Sequence, residues 1–176
     1  SIEQDLAALG RGIDDVAITT AGEAVRWGEL NGRPRAVFFG FSNCPMICPV
    51  TIWELTHAMS VIGAPPESMT FDFVSVDPAR DTPERLRAYL TSFDGPTRGL
   101  HAEGEALARI ARSFEVTYRR QPLENGGYTI DHTATVFLLD RQGAVVDVIA
   151  YGSPPEVIER RLRALLGLPQ PPAPPG

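Results

Sequence analysis

Short apolar runs divide the chain into segments with the pattern of strands. Residues Ala36–Phe41 have the sequence Ala-Val-Phe-Phe-Gly-Phe, which is typical of a strand that is buried on both faces. Met69–Val76 predicts a second strand. Thr135–Leu139 and Val145–Ala150 predict two more strands. The residues Asp140–Gly143 between them have the composition of a turn, so this pair is predicted to form a hairpin.

Proline positions and apolar spacing predict two helices in the first half of the chain. Pro49 suits the first turn of a helix, which we expect to run to about Val61. Thr82 is a favourable N-cap, and Pro83 then occupies the first helical position. The second helix has one apolar face, formed by Leu86, Tyr89, Leu90 and Phe93.

Two further helices are predicted nearer the C-terminus. The first is indicated by apolar residues at helical spacing, which are Leu107, Ile110 and Phe114. The segment Ser153–Glu156 has the sequence of a capping box and predicts the start of the last helix. The apolar stripe of this helix consists of Val157, Ile158, Leu162 and Leu165.

The order of these elements predicts the fold class. Strand, helix, strand, helix, helix, hairpin and closing helix indicate an α/β protein with a central mixed β-sheet and helices on both faces. Residues 1–15 are expected to form a helical or loose lead-in, and Val16–Leu30 to form a small N-terminal hairpin that extends the sheet. One domain is expected over residues 16–167, followed by a flexible proline-rich tail over residues 168–176.

Composition and charge narrow the classes of function. The chain has 176 residues, a hydrophobic fraction of 43% and a net charge of −6, which fit one globular domain. The negative charge argues against nucleic acid as a partner, because phosphate binding requires a positive field. The sequence contains no apolar run of the length that spans a bilayer, and no signal peptide is visible.

Two cysteines, Cys44 and Cys48, directly follow the first buried strand. We expect Cys48 at the N-cap of the following helix and Cys44 in the preceding loop, where the helix dipole favours thiolates. Two thiolates suit a soft ion such as Cu(I), and the same thiols can form a disulfide. Three residues separate them, one more than in the usual redox motif, which favours metal binding. Two inert buried cysteines are a further interpretation.

A site with two thiolates needs a third donor, and histidine is the obvious candidate type. His132 is expected to begin a strand-forming segment, far along the chain from the cysteines. His57 is expected two turns into the cysteine helix, and His101 in a loop. Spacing alone leaves open whether His132 is a ligand or a solvated or packed side chain.

Three segments of the chain resemble one known family. They are Phe39–Pro49, Val76–Glu84 and Tyr128–Thr133, the last leading into Phe137–Asp140. In order and spacing they are similar to the Sco (SenC) proteins, which are thioredoxin-like copper chaperones of cytochrome c oxidase assembly. The resemblance implies a thioredoxin-like fold.

The resemblance also implies a site and a function. Cys44, Cys48 and His132 would bind a copper ion, Cu(I) or Cu(II). The protein would deliver copper to the CuA site of cytochrome c oxidase subunit II, and another chaperone could supply the copper. The alternative is a thiol–disulfide oxidoreductase that reduces the acceptor's cysteines before metal insertion. The expected setting is a monomeric domain on the periplasmic side of a bacterial inner membrane, tethered by a segment upstream of Ser1.

The sequence leaves the roles of several nearby side chains undecided. The family usually has an acidic residue where this chain has Met46. Met46 is either an auxiliary soft donor or an apolar residue for packing or partner contact. Asp131 either orients His132 through a hydrogen bond or lies at the surface. Trp53 either shields the site or packs in the core. Arg80 and its neighbour Asp81 are expected to pair.

Overall fold

A computed structural model of the chain describes residues 1–172 and residue 175. The helices of the described residues are α1 (Ile2–Ala7), α2 (Ile47–Val61), α3 (Pro83–Leu90), α4 (Gly104–Ser113) and α5 (Pro155–Leu166). The strands are β1 (Val16–Thr19), β2 (Ala24–Arg26), β3 (Arg35–Gly40), β4 (Thr70–Ser75), β5 (Thr97–His101), β6 (Tyr118–Pro122), β7 (Tyr128–His132), β8 (Val136–Leu139) and β9 (Val145–Ile149).

Seven of these strands form one mixed sheet in the order β2-β1-β5-β4-β3-β8-β9. The strands β3, β4 and β5 are parallel, while β1 and β8 join their two sides antiparallel. The predicted mixed sheet and the N-terminal β1–β2 hairpin are confirmed. The strands β6 and β7 pair only with each other among the described residues and form a second, two-stranded sheet.

The strand β3 lies at the centre of the core. All of its residues are buried, as the uninterrupted apolar run predicted. The ring of Phe39 packs against Phe114 at 5.6 Å and against Phe137 at 6.4 Å between centroids, distances typical of favourable aromatic pairs. The helix α2 follows this strand and packs beside α5.

The strands β5, β6 and β7 do not appear among the strands that the apolar pattern predicts. His101, expected in a loop, is instead the last residue of β5. The sequence of β5 is short and partly polar, and pairing with β4 and β1 on its two sides places it in the sheet. The strand β6 is largely exposed and carries Arg119 and Arg120, so it lacks the apolar alternation that marks a half-buried strand.

Two predicted helix starts are wrong in detail. The N-cap of α2 is Met46, and Cys48 lies within the first turn. The N-cap of α5 is Pro154. The Ser153 hydroxyl donates to the carbonyl oxygen of Ala150 at 2.6 Å instead of capping α5. Local turn hydrogen bonds compete with caps for short hydroxyl side chains. The Thr82 cap of α3 is confirmed, since its hydroxyl accepts from the Arg85 amide.

The first residues of the chain form a capped helix, and the described part of the tail contacts α5. Ser1 and Gln4 form a capping box at α1, within the predicted lead-in. Of the predicted flexible tail, residues 173, 174 and 176 lie outside the described residues. The described part runs along α5, where the Gln170 side chain donates to the carbonyl oxygen of Arg160 at 3.0 Å. Among the described residues, no helix has the length and apolar character needed to cross a membrane.

Candidate metal centre

The cysteine loop begins where β3 ends, at the carboxyl edge of the parallel strands. The Cys44 amide donates to the carbonyl oxygen of Phe41 at 3.1 Å, which closes a tight turn after the strand. The Cys48 amide in the first turn of α2 donates to the Cys44 sulfur at 3.4 Å. Cys48 is fully buried and Cys44 is 8% exposed. Both are free thiols, so both sulfurs are available to a metal ion.

Gly40, the last residue of β3, leaves room for the deeper sulfur. A Cβ atom at this position would lie 2.7 Å from the sulfur of Cys48 and 3.0 Å from the rings of Phe38 and Phe73. Such contacts are closer than van der Waals packing allows. The close approach of the β3 backbone to Cys48 therefore requires a glycine here.

His132 comes to the same place from the second sheet. It is the last residue of β7, not the first residue of a strand as the sequence predicted. Its Nε2 lies 3.5 Å from the Cys48 sulfur, and its Nδ1 lies 3.0 Å from the carbonyl oxygen of Thr133. Because a carbonyl oxygen only accepts, Nδ1 carries the proton. Nε2 then presents its lone pair toward the sulfurs, as a metal-binding imidazole requires.

Two aromatic rings fix the plane of the imidazole. The rings of Phe38 and Phe41 meet the His132 ring edge to face, with centroids 6.0 Å and 5.7 Å away. Phe38 belongs to β3, and Phe41 follows that strand directly. The apolar run that precedes the cysteines thus also forms one wall around the histidine.

The three donor atoms form a compact cluster. One nitrogen of His132 and the sulfurs of Cys44 and Cys48 all lie within 4.8 Å of one another. Two thiolates and an imidazole are a donor set that copper accepts, and soft sulfur favours Cu(I). The donor types and the spacing therefore fit a copper ion bound by these three residues.

The other two histidines have different neighbours. The His101 ring contacts the carbonyl oxygen of Asp81 at 2.7 Å and a carboxylate oxygen of Glu103 at 3.0 Å. The His57 ring stacks on Trp53, with 4.6 Å between centroids and 9° between the ring planes. Of the three histidines, His132 is the one that meets both sulfurs.

The two thiols differ strongly in acidity. The hydrogen bond from Cys48 lowers the pKa of Cys44 to about 4, against the opposing effect of burial. The pKa of Cys48 is raised, first by the hydrogen bond with Cys44 and then by burial. In the metal-free protein the pair therefore carries one proton, held on the Cys48 side, and one thiolate at Cys44.

Comparison with known proteins decides the family. Residues 16–167 match the family model described as SCO1/SenC. This chain belongs to the SCO1/SenC family. It is 31% identical over 124 residues to the SCO2-like protein RP587 of Rickettsia prowazekii, covering 69% of this chain and 60% of that protein.

Solved structures show the same fold. The structure of Bradyrhizobium japonicum ScoI with copper bound has a TM-score of 0.77 and 33% identity, covering 86% of this chain and 96% of that one. Arabidopsis thaliana ScoI with copper bound has a TM-score of 0.80 and 26% identity, covering 87% and 96%. The thioredoxin-like α/β fold that the resemblance implied is therefore confirmed for this SCO1/SenC protein.

The residues whose roles the sequence left open are exposed in this SCO1/SenC protein. The Met46 side chain is 64% exposed and the Trp53 side chain 57% exposed. Trp53 therefore does not pack in the core, and its ring stacks on His57. Asp131 is exposed, and the carbonyl of Thr133 takes the position at His132 Nδ1 that Asp131 was considered for.

Sequence reasoning missed the residues that hold the cysteine loop. Arg80 pairs with Asp77, so the expected pairing of Arg80 with Asp81 is wrong. Asp81 instead accepts hydrogen bonds from the amide and the hydroxyl of Ser42. A Ser-x-Cys sequence carries no sign of a carboxylate partner 39 residues away. Only the packing of the two loops at one sheet edge creates this contact.

The asymmetry of the thiols gives a pH prediction. In the metal-free protein, thiolate absorbance near 240 nm corresponding to one sulfur persists from pH 8 to about pH 5. It is lost as the pH falls through about 4, because that is the pKa of Cys44. An ordinary cysteine, with a pKa near about 8.5, would lose its absorbance between about pH 9.5 and 7.5. The difference spectrum between wild type and a variant with both cysteines changed to serine gives the thiolate absorbance of the pair. A first apparent pKa above 7 would contradict the prediction.

Proposed function

We propose that this protein is a copper metallochaperone whose site consists of Cys44, Cys48 and His132. The observation that carries the proposal is the convergence of these three donors within 4.8 Å, although they come from a loop, the helix α2 and the strand β7 of the second sheet. The thiolate of Cys44 is ready to bind. Cys48 would give up its proton on binding, as metal ligation by thiols requires. The copper-bound structures of two similar proteins support this proposal.

The exposure of the three donors suits transfer as well as binding. Cys44 is 8% exposed, His132 is partly exposed and Cys48 is fully buried. An open polar cavity of about 510 Å³ lies beside His132 and is lined partly by Asp131 and Arg119. An acceptor's ligands would reach copper from this side and replace His132 and Cys44 before Cys48. We place Met46 and Asp131 on the rim that faces the acceptor.

We further propose the destination and the setting of the protein. The acceptor would be the CuA centre of cytochrome c oxidase subunit II, and another chaperone would supply copper. The domain over residues 16–167 would act as a monomer on the periplasmic side of a bacterial inner membrane, tethered upstream. These proposals rest on membership of the family. The chain spans 60% of the length of the Rickettsia prowazekii relative.

A transfer assay tests the function directly. The protein is loaded with one equivalent of Cu(I) and mixed with the metal-free soluble domain of subunit II, its cysteines reduced. We expect copper to appear in the acceptor after the two proteins are separated, faster than from a copper–glutathione complex at equal concentration. His57→Ala, which changes a histidine outside the cluster, should transfer like wild type. Transfer no faster than from copper–glutathione would contradict the proposal.

The lowered pKa of Cys44 supports a second candidate function, thiol–disulfide exchange. The Cys44 thiolate would attack an acceptor disulfide and release one acceptor thiol. The Cys48 sulfur would then displace the second acceptor thiol and form a Cys44–Cys48 disulfide. This chemistry leaves the imidazole without a role, so the cluster favours copper binding. Full reduction of a model disulfide by a His132→Ala variant that no longer transfers copper would support exchange as an independent activity.

A further inference from the structure

The loop between β4 and α3 contacts both halves of the copper site. We call residues Asp77–Asp81 the brace loop. At its far end, the buried carboxylate of Asp81 accepts from the Ser42 amide at 3.0 Å, from the Ser42 hydroxyl, and from the Ser75 hydroxyl at 2.8 Å. Ser42 lies two residues before Cys44. Asp81 therefore ties the cysteine loop to the end of β4.

The near end of the brace loop holds the other half of the site through Tyr128. The Tyr128 hydroxyl donates to the buried carboxylate of Asp77 at 2.7 Å. The Arg80 guanidinium donates to the carbonyl oxygen of Tyr128 at 3.1 Å and lies 3.7 Å from the centre of its ring. Arg80 also pairs with Asp77. Three contacts to one residue fix both its backbone and its side chain.

Tyr128 is the first residue of β7, and His132 is the last. Five strand residues span about 13 Å from first to last, so the orientation of Tyr128 sets the direction in which β7 delivers the histidine. The β6–β7 sheet shares no strand pairing with the main sheet among the described residues. The imidazole lies 3.5 Å from the Cys48 sulfur without such a pairing to hold its strand. Side-chain contacts hold it instead, since Phe38 and Phe41 pack on its ring and Tyr128 holds the start of its strand.

We propose that Arg80 and Tyr128 are positioning residues for copper binding, which act through His132. The brace loop fixes the cysteine loop and β7 relative to each other. The three donors are therefore in place before copper binds. Such preassembly lowers the ordering cost of binding. The proposal rests on the proposed function, because it concerns the copper affinity of that same site.

Tyr128→Phe tests the proposal with a minimal change. It removes the hydroxyl that binds Asp77 and keeps the ring under Arg80. We expect the Cu(I) dissociation constant to rise about tenfold. This is the lower end of the roughly 10- to 100-fold loss of affinity that follows when a group that orients a metal ligand is removed. Arg80→Lys, which keeps the charge but loses the planar contacts, should act in the same direction. Tyr151→Phe makes the same chemical change at an exposed position in the turn after β9 and should leave the constant unchanged.

A double-mutant cycle separates positioning from general destabilisation. In a His132→Ala background, Tyr128→Phe should have no further effect on Cu(I) affinity, because the imidazole that Tyr128 positions is absent. In the Cu(II) form, Tyr128→Phe should weaken or broaden the nitrogen coupling of the imidazole in the electron paramagnetic resonance spectrum. In the metal-free protein it should speed hydrogen exchange of the β7 amides while that of β3 is unchanged.

Two results would overturn the proposal. One is that the affinity of the protein depends on His132 while Tyr128→Phe binds Cu(I) as tightly as wild type and Tyr151→Phe. The other is an equal loss of affinity from Tyr128→Phe in the wild-type and His132→Ala backgrounds, which would show that Tyr128 does not act through the histidine. Failure of the proposed function gives a different pattern, in which wild type itself does not hold or transfer copper.

Discussion

We expect the replacement of either Cys44 or Cys48 by serine to lower the Cu(I) affinity of the protein about 1000-fold or more, and His132→Ala to lower it about 100-fold. Removing a residue that hydrogen-bonds to a metal ligand lowers metal affinity about 10- to 100-fold. Removing a ligand itself should lower the affinity as much or more. Thiolates are the softer donors and hold Cu(I) more strongly than imidazole. The two sulfurs are therefore expected to provide most of the Cu(I) affinity, and the histidine to add a smaller part as the third ligand.

Competition with a chromophoric Cu(I) chelator measures these affinities at fixed pH. His57→Ala is the matched control, since its ring stacks on Trp53 and lies outside the donor cluster. Circular dichroism should show each variant folded, so that a loss of affinity is not a loss of structure. An unchanged affinity in His132→Ala would contradict a three-ligand site and leave only the two sulfurs.

Asp72→Ala is expected to lower the free energy of unfolding by about 3–5 kcal/mol, the cost of removing one partner of a buried ion pair. The guanidinium of Arg35 is fully buried at the start of β3 and donates to Asp72 at 2.8 Å. Asp72 also binds Arg98, with two further hydrogen bonds. Without the carboxylate, Arg35 would retain a buried positive charge, and burial already lowers its pKa.

Urea unfolding followed by circular dichroism tests this expectation. Asp147→Ala is the control, because Asp147 pairs with Arg161 where both side chains are 39% exposed. Partly exposed pairs contribute about 0–1 kcal/mol, so this variant should unfold close to wild type. Equal losses in the two variants would show that burial of the Arg35–Asp72 pair does not decide its contribution.

The central part of the fold is predictable from local patterns. The apolar run before the cysteines forms β3, and Pro49 lies in the first turn of the helix that follows. These predictions succeed because an uninterrupted apolar segment has to be buried and because proline lacks the amide that a helix interior uses. The N-cap assignment of Cys48 fails, since helix ends shift by one or two residues with tertiary packing.

The polar strands around the site are not predictable in the same way. The strand β6 is largely exposed, and pairing with β7 defines both strands. The two strands lie close together along the chain, but β6 buries little apolar surface and so lacks the alternation that marks a half-buried strand. The contact between Ser42 and Asp81 is hidden for a different reason, because its two residues are 39 positions apart.

By itself, the sequence determined that two thiols follow a buried strand at a helix start, and resemblance named His132 as their partner. Only the tertiary structure decided that this imidazole lies 3.5 Å from a sulfur 84 positions earlier. It also decided that Nδ1 faces Thr133 and that the brace loop contacts both halves of the site. Local patterns reflect burial and backbone geometry at neighbouring positions, whereas a copper site depends on distances between segments that only the folded chain brings together.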